Sequence, residues 1–412
     1  MIVYVCTVGT GTAGKTSNVN EGIAASIKFR NPEYCYLLPS VSPDSIAVAQ
    51  LVQEGVAGSG IKIKDSGIIP LTSHDDILRC RQEIRVIFRD LKKSLPQCEI
   101  ILNPTSGTKQ MTSAAMLAAI DEGIEQIEYI SGPRQDGVII TGQEQISSVS
   151  ARGILAEYAG RNALSLLNGG AYQGAAELMK SYKELLPQTS AAAAVLAARN
   201  RFNYRGAIQA CNTIDSSFWQ EQRQLLNQMT LAAWPSPVHL ADMLNFVTRQ
   251  LEFDEREEAL AMLYRLCEAA CKVRIRDEIC GGKLSTEGII NCPDIILDKN
   301  TKDKMCAQER EYGEPLLGLK DCKDILNKSK FKLIPVLKDS KYWKTLQLRN
   351  KTRFGHDNQF IAEAEFKQVK ALFGKITEAL TEEWANLPQL LEQTSFNNFE
   401  PIIKEEIVNV KP

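Results

Sequence analysis

The chain has 412 residues, 44% of them hydrophobic and 24% charged, with a formal net charge of −2. These values belong to a soluble globular protein of two or three domains, each large enough for its own core. They exclude a disordered chain and a globally basic nucleic-acid binder. The longest apolar runs are strand-length, far short of the roughly 20 residues a membrane helix needs. The N-terminus runs straight into a strand, with no basic n-region and no cleavage site, so no signal peptide is expected. Eleven cysteines are scattered among apolar neighbours without a CxxC pair. That is the pattern of reduced, buried thiols in a cytoplasmic protein rather than of a structural zinc site.

In chain order, strand-like runs fall at Ile2–Val8, Tyr34–Pro39, Ile61–Pro70, Glu99–Asn103, Gln126–Ser131 and Val138–Thr141. Helical patterns lie between them at Val19–Phe29, Ser45–Gly55, Asp75–Leu95 and Lys109–Glu122. The runs at Tyr34 and Glu99 are continuously apolar, as when both faces of a sheet are covered. Alternating β and α units of this length imply a Rossmann-like α/β domain with a mainly parallel sheet over residues 1–149. An all-α domain is expected over 150–412. Residues 153–280 read as almost continuous helix, broken at Gly169-Gly170, Pro187 and Pro235-Ser236-Pro237. Residues 281–340 read as irregular. Helix resumes at Lys341–Asp357 and Ala362–Trp384, and the tail after Gln393 is expected to be poorly packed.

Two loops of the first domain carry chemistry. The strand Ile2–Val8 ends in Gly9-Thr10-Gly11-Thr12-Ala13-Gly14-Lys15-Thr16, which satisfies the P-loop pattern GxxxxGK[ST]. A P-loop NTPase also needs an acid ending a neighbouring core strand to hold magnesium. The strands here end in Pro39-Ser40, Asn103-Pro104 and Ser131-Gly132, while Asp298, after Ile295-Ile296-Leu297, lies far outside the α/β unit. The second loop, Asn103-Pro104-Thr105-Ser106-Gly107-Thr108-Lys109-Gln110-Met111, joins a strand to a helix. Gly107 permits close backbone approach, the hydroxyls and Lys109 offer donors and charge, and a helix N-terminus attracts anions. The same residues suit a capped strand-to-helix turn, because Ser and Thr favour N-caps. Residue types alone leave both open.

The third motif is Arg349-Asn350-Lys351-Thr352-Arg353-Phe354-Gly355-His356. His356 is one of three histidines in the chain, with His74 and His239. On a helix the spacing would place Arg349 and His356 on one face, with Arg353 a turn from each. A guanidinium neutralises a phosphate and an imidazole moves a proton near neutral pH. Such a pair cuts RNA without metal when the substrate's own 2′-hydroxyl is the nucleophile. A solvated basic helix is the plainer alternative. Between Lys299 and Arg353, 15 Lys and Arg stand against 7 Asp and Glu, a local excess of +8 that fits an approaching polyanion or a Lys-rich surface.

Asn103, Thr105, Ser106, Gly107, Thr108, Lys109 and Met111 together resemble the ligand motif of CARF domains, the CRISPR-associated Rossmann fold. Gly9, Thr10 and Gly11 resemble the first ligand loop of the same domain. Arg349-Asn350…His356 resembles the HEPN ribonuclease signature. In this order the motifs are similar to those of type III CRISPR accessory ribonucleases. The resemblance implies a cytoplasmic homodimer that senses a cyclic oligoadenylate and cleaves single-stranded RNA, with no cofactor and no metal. It implies that His356 handles the proton, Arg349 the phosphate, Asn350 the orientation of the pair, and that Arg353 assists. Two departures stand out: Ser106-Gly107 replaces a frequent pair of glycines, and the Arg349–His356 spacing is long. A P-loop NTPase with a helical effector domain and a non-catalytic nucleotide sensor remain the alternatives.

Overall fold

A computed structural model describes residues 1–10, 17–57, 65–135, 138–140, 142–293, 295 and 299–410. The chain divides into two units, Met1–Ala159 with the C-terminal residues from Val408, and Gly160–Ile407. The division falls within a helix, Arg152–Asn168.

In the first unit β1 (Ile2–Val8), α1 (Ser17–Arg30), β2 (Tyr34–Pro39), α2 (Pro43–Ala57), β3 (Asp65–Ile68), α3 (Ile77–Ser94), β4 (Glu99–Asn103), α4 (Lys109–Asp121) and β5 (Gln126–Ser131) alternate as expected. A short β6 (Arg134–Gln135) and β7 (Val138–Ile139) pair with each other, and β8 (Gln145–Ser150) follows. The six-stranded sheet has the order β3-β2-β1-β4-β5-β8. β1 to β5 are parallel and β8 closes the edge antiparallel to β5. Strand alternation explains the two cores. Val3 and Val5 of β1 join Ile84, Phe88 and Met111 on the α3–α4 side. Tyr4 and Cys6 join Ile23, Ile27, Val48 and Val52 on the α1–α2 side. The order reverses between β1 and β4, the switch point at which α/β sheets open a crevice beyond the strand ends.

β8 was not expected. Its sequence, Gln-Ile-Ser-Ser-Val-Ser, is polar and mostly exposed, because an edge strand needs an apolar face only where it meets the core. The strand expected over Ile61–Pro70 is seen as Asp65–Ile68, and residues 58–64 lie outside the described residues.

In the second unit the expected near-continuous helix is a series: Tyr172–Met179, Pro187–Arg199, Tyr204–Cys211, Ser217–Leu231, Pro237–Glu252 and Arg256–Arg274. The turns at Phe202 and Asp254 carry neither Gly nor Pro; both residues adopt left-handed backbone, with φ of 55° and 59°. Asn203 then caps the next helix by accepting from Gly206 N. Residues 281–340, expected to be irregular, contain helices Thr286–Ile290, Lys299–Tyr312, Leu319–Ile325 and Leu333–Lys338. Their short lengths and many lysines blur the apolar period.

The tail also departs from expectation. Phe396, Phe399, Ile403 and Ile407 are buried, and Phe399 packs edge-on against Phe218 and Trp219 at 5.3 and 5.8 Å between ring centroids. Asn-rich polar residues face outward between these anchors, which hides the helical spacing. Phe399→Ala should therefore lower stability by about 3–5 kcal/mol, the usual cost of emptying an aromatic core site. Urea unfolding checks it; an unchanged midpoint would mean the tail is not part of the core.

Candidate functional site

At the switch point the loops after β1 and β4 meet. Gly9 lies so close to Gly107 that a Cβ on Gly9 would fall 2.7 Å from both the Gly107 Cα and N. Gly107 itself has φ of +128°, a conformation that favours glycine. Gly9 N donates to Ser106 Oγ at 3.0 Å, and Thr7 Oγ1 donates to the Ser106 carbonyl. Thr105 Oγ1 accepts from Ile130 N at 2.9 Å, tying the loop to β5. Among the described residues, Thr105 and Ser106 donate neither hydroxyl proton.

Asn103 and Met111, both expected among the ligand-binding residues, are fully buried. Asn103 Oδ1 accepts from Thr105 N at 3.0 Å, shaping the turn. Its Nδ2 donates to Tyr4 OH at 2.8 Å, and Tyr4 OH donates to Glu128 Oε2 at 3.0 Å. Burial pushes the Tyr4 hydroxyl well above its ordinary range, so it stays a neutral donor. Met111 belongs to the core beneath α4. Thr108 is the N-cap of α4: its Oγ1 accepts from Met111 N at 3.1 Å and donates to the His74 carbonyl at 3.0 Å. Its only hydroxyl proton is thereby used. Lys109 stands exposed at the first helical position, beside amides that have no intrahelical acceptor. The site therefore offers a cation, hydroxyl donors and a helix N-terminus to an anion, with Thr10 half-buried at its margin. The approach of the His74 segment was not legible in the sequence. Gly11, Lys15 and Thr16 lie outside the described residues.

In the second unit the expected helix Lys341–Asp357 ends early. It runs Ser340–Gln347, tightens to a 3-10 turn over Leu348–Lys351, and then leaves helical geometry. Arg349 and His356 consequently do not share a helical face. A compact loop instead brings the His356 backbone back to Asn350. His356 N donates to the Asn350 carbonyl at 2.8 Å, Gly355 N to the Thr352 carbonyl at 2.8 Å, and Thr352 Oγ1 to the Arg349 carbonyl at 2.9 Å. A Cβ on Gly355 would lie 2.5 Å from Arg349 O and from the Asn350 Cα and O. The loop thus closes on the backbone of the two residues whose side chains the motif singles out.

Arg349 is half-buried, its guanidinium carbon 5.3 Å from the Tyr264 ring centroid. One Arg349 nitrogen approaches Asn350 Oδ1 at 3.4 Å, and Asn350 Nδ2 donates to Gln347 Oε1 at 2.9 Å. His356 is exposed. Arg353 forms an ion pair with Glu258, which offsets its charge. Glu258 and Tyr264 had no signal of their own; Gly355, a poor helix former immediately before the histidine, did.

The other two histidines differ. His239 is buried, with Nε2 2.7 Å from the Met229 carbonyl and Nδ1 2.7 Å from Ser236 Oγ. A carbonyl only accepts, so Nε2 carries the proton and Nδ1 accepts from Ser236. Burial depresses its protonation further, which fixes it as a neutral structural group. The His74 ring lies 3.3 Å from an Asp75 oxygen. Among the described residues, no group of three or more His, Cys, Asp or Glu side chains has metal-binding proximity, and no helix is long and apolar enough to cross a membrane.

No protein-family model matches the sequence, and no curated protein matches it. Among solved structures, the chain is similar to Enterococcus italicus Csm6 bound to cyclic hexa-2′-fluoro-hexa-dAMP, with a TM-score of 0.60 over 99% of each chain at 13% identity. The likeness is one of fold: a Rossmann-like α/β unit followed by a helical unit.

The Gly9–Gly107 approach makes a direct stability test. Gly9→Ala should cost about 1–3 kcal/mol in urea unfolding, because backbone must yield. Gly22→Ala in α1, whose Cβ would meet only the Glu144 side chain at 3.9 Å, should be neutral or stabilising. Equal effects would show that the two loops do not touch.

Proposed function

We propose that this protein is a cyclic-oligoadenylate-activated endoribonuclease that cleaves single-stranded RNA, acting in type III CRISPR defence. The observation that carries the reading is the Gly355 loop, which folds His356 back onto Asn350 beside a half-buried Arg349. The fold supports it, since a similar chain is seen with a cyclic oligonucleotide analogue bound. In the proposed reaction the RNA 2′-oxygen attacks the adjacent phosphorus and the bond to the 5′-oxygen breaks. His356 takes the 2′-hydroxyl proton or supplies one to the leaving oxygen. Arg349 stabilises the charge that builds on the phosphate oxygens, and Asn350 positions the pair. Products end in a 2′,3′-cyclic phosphate and a 5′-hydroxyl, and DNA, lacking the 2′-hydroxyl, resists.

One chain supplies one Arg349 and one His356. In this reading two chains pair symmetrically, forming a composite cleft from both copies and joining two switch-point loops around one ring. Thr105, Ser106 and Lys109 face the activator's phosphates, with Gly9, Thr10 and Gly107 letting the backbone approach. The P-loop alternative is weakened because β2 and β4, which flank β1, end in Pro39 and Asn103 and place no carboxylate there. Magnesium-dependent ATP hydrolysis lost in Lys15→Ala would revive it.

His356→Ala should reduce cleavage of labelled RNA by about 100-fold or more, the usual share of a general acid or base, and leave activator binding intact. Wild-type rates would remove this histidine from the reaction. Gly355→Ala should lower kcat by about 100-fold with little change in KM, as expected for a displaced proton-transfer group. Unchanged kcat would mean the loop does not position His356. Cleavage should persist in EDTA.

Lys109→Ala should weaken binding of cyclic tetra- or hexa-adenylate by about tenfold, the effect of losing one charge-assisted hydrogen bond, and shift the activator dose for cleavage equally. Calorimetric titration measures it. Failure of wild type to bind either ring would overturn the sensor assignment.

A further inference from the structure

The helical unit contains a cavity of about 340 Å³ that the reaction above does not use. Trp234, Arg265, Glu268, Lys272, Arg276 and Lys283 line it. Four are cations and one is an acid; Glu314 adds a second acid, leaving the lining at +2, and Asp277 just outside it pairs with Arg276 at 2.7 Å. Glu268 Oε1 is shared between Arg265 at 3.0 Å and Lys272 at 2.9 Å, so one carboxylate answers two cations. Lys283 is exposed and forms no ion pair among the described residues.

Trp234 is 55% exposed, unusual for the largest apolar side chain. It is nevertheless held in place. Its ring meets His239 edge-on at 4.6 Å, and His239 is itself fixed by Ser236 and Met229. Arg276 donates to the carbonyls of Pro235 at 2.5 Å and Ala233 at 3.4 Å, clamping the segment on either side of Trp234. Arg276 sits in a π-helical turn, Ile275–Ile279, whose extra residue per turn re-aims side chains and occurs often at functional sites. A rigid aromatic face beside surplus positive charge suits a base stacked above its phosphate.

The cavity and the proposed reaction centre share a helix. Tyr264, under the Arg349 guanidinium, and Lys272, in the cavity wall, both belong to Arg256–Arg274. Eight residues of helix separate them by about 12 Å along the axis, a span that a few nucleotides of one strand cover.

We propose that this cavity is a substrate subsite that holds one nucleotide of the single-stranded RNA, its base on Trp234 and its phosphate against Lys272, Arg265 and Lys283. The inference rests on the ribonuclease reading and locates part of its RNA path.

The test uses the full chain carrying His356→Ala, binding a fluorescent single-stranded RNA, together with cleavage kinetics on the His356 background. Trp234→Ala should weaken RNA binding about five- to hundredfold, as when one stacked base is lost, and raise KM while kcat is largely kept. Trp234→Phe should restore most of the affinity, which a merely structural loss would not predict. Lys283→Ala should lower the salt dependence of binding by about one counterion. An unchanged urea unfolding midpoint reports an intact fold. If wild type cleaves RNA and Trp234→Ala keeps its affinity and KM, the subsite is refuted while the ribonuclease stands. If wild type binds RNA through Trp234 without cleaving it, the ribonuclease reading falls and the subsite stands. If AMP quenches Trp234 fluorescence while RNA affinity ignores the substitution, the cavity serves free nucleotide and the RNA assignment is overturned.

Discussion

Gly9 and Gly107 meet backbone to backbone, at a separation that would leave a Cβ on Gly9 only 2.7 Å from Gly107 atoms. That approach sets the floor of the switch-point crevice, because it brings the loops after β1 and β4 together where the strand order reverses. Ser106 can then bridge to both Thr7 and Gly9. The same physical device recurs in the helical unit, where Gly355 lies against the backbone of Arg349 and Asn350. In each unit a missing side chain lets two segments close, and the functional groups stand on the closed segment. Larger residues at either glycine would separate pieces of chain that the proposed chemistry needs in register.

Beneath the first site lies a buried polar chain. Asn103 of β4 donates to Tyr4 of β1, Tyr4 to Glu128 of β5, and Glu128 pairs with Arg30 of α1. Ser148 of β8 adds a bond to the same Glu128 oxygen at 3.2 Å. A wholly buried carboxylate is tolerable only when so partnered, and removing one partner leaves an uncompensated charge. The network therefore fixes the relative positions of four strands and one helix under the loop. In it the Asn103 amide is committed in both directions, its oxygen to Thr105 N and its nitrogen to Tyr4.

Legibility in the sequence followed burial. β1, β2, β4 and β5 were readable to the residue because their apolar runs are dictated by a sheet covered on both faces. β8 was not, since a polar edge strand leaves no such trace. The helical breaks at Phe202 and Asp254 were missed because neither carries Gly or Pro, although Asp254 is of a type that tolerates left-handed backbone. The Arg349-Asn350…His356 motif was legible as residue types, while the loop that folds His356 onto the Asn350 backbone was not. A helical register was inferred, and the chain instead uses a turn held by three backbone carbonyls. Arg353 read as a third cation beside Arg349 and His356, and its ion pair with Glu258, distant in sequence, was not legible. Contacts between such distant residues have no local signature.

The central claim is a coupling between a nucleotide site in one unit and RNA cleavage in the other. Its most direct test is the rate of single-stranded RNA cleavage by the full wild-type chain across a titration of cyclic tetra- and hexa-adenylate, with the product ends identified. The account predicts that one ring raises the rate in a saturable way, and that the products carry 2′,3′-cyclic phosphate and 5′-hydroxyl ends. A rate independent of both rings, at concentrations where one of them is bound, would contradict it.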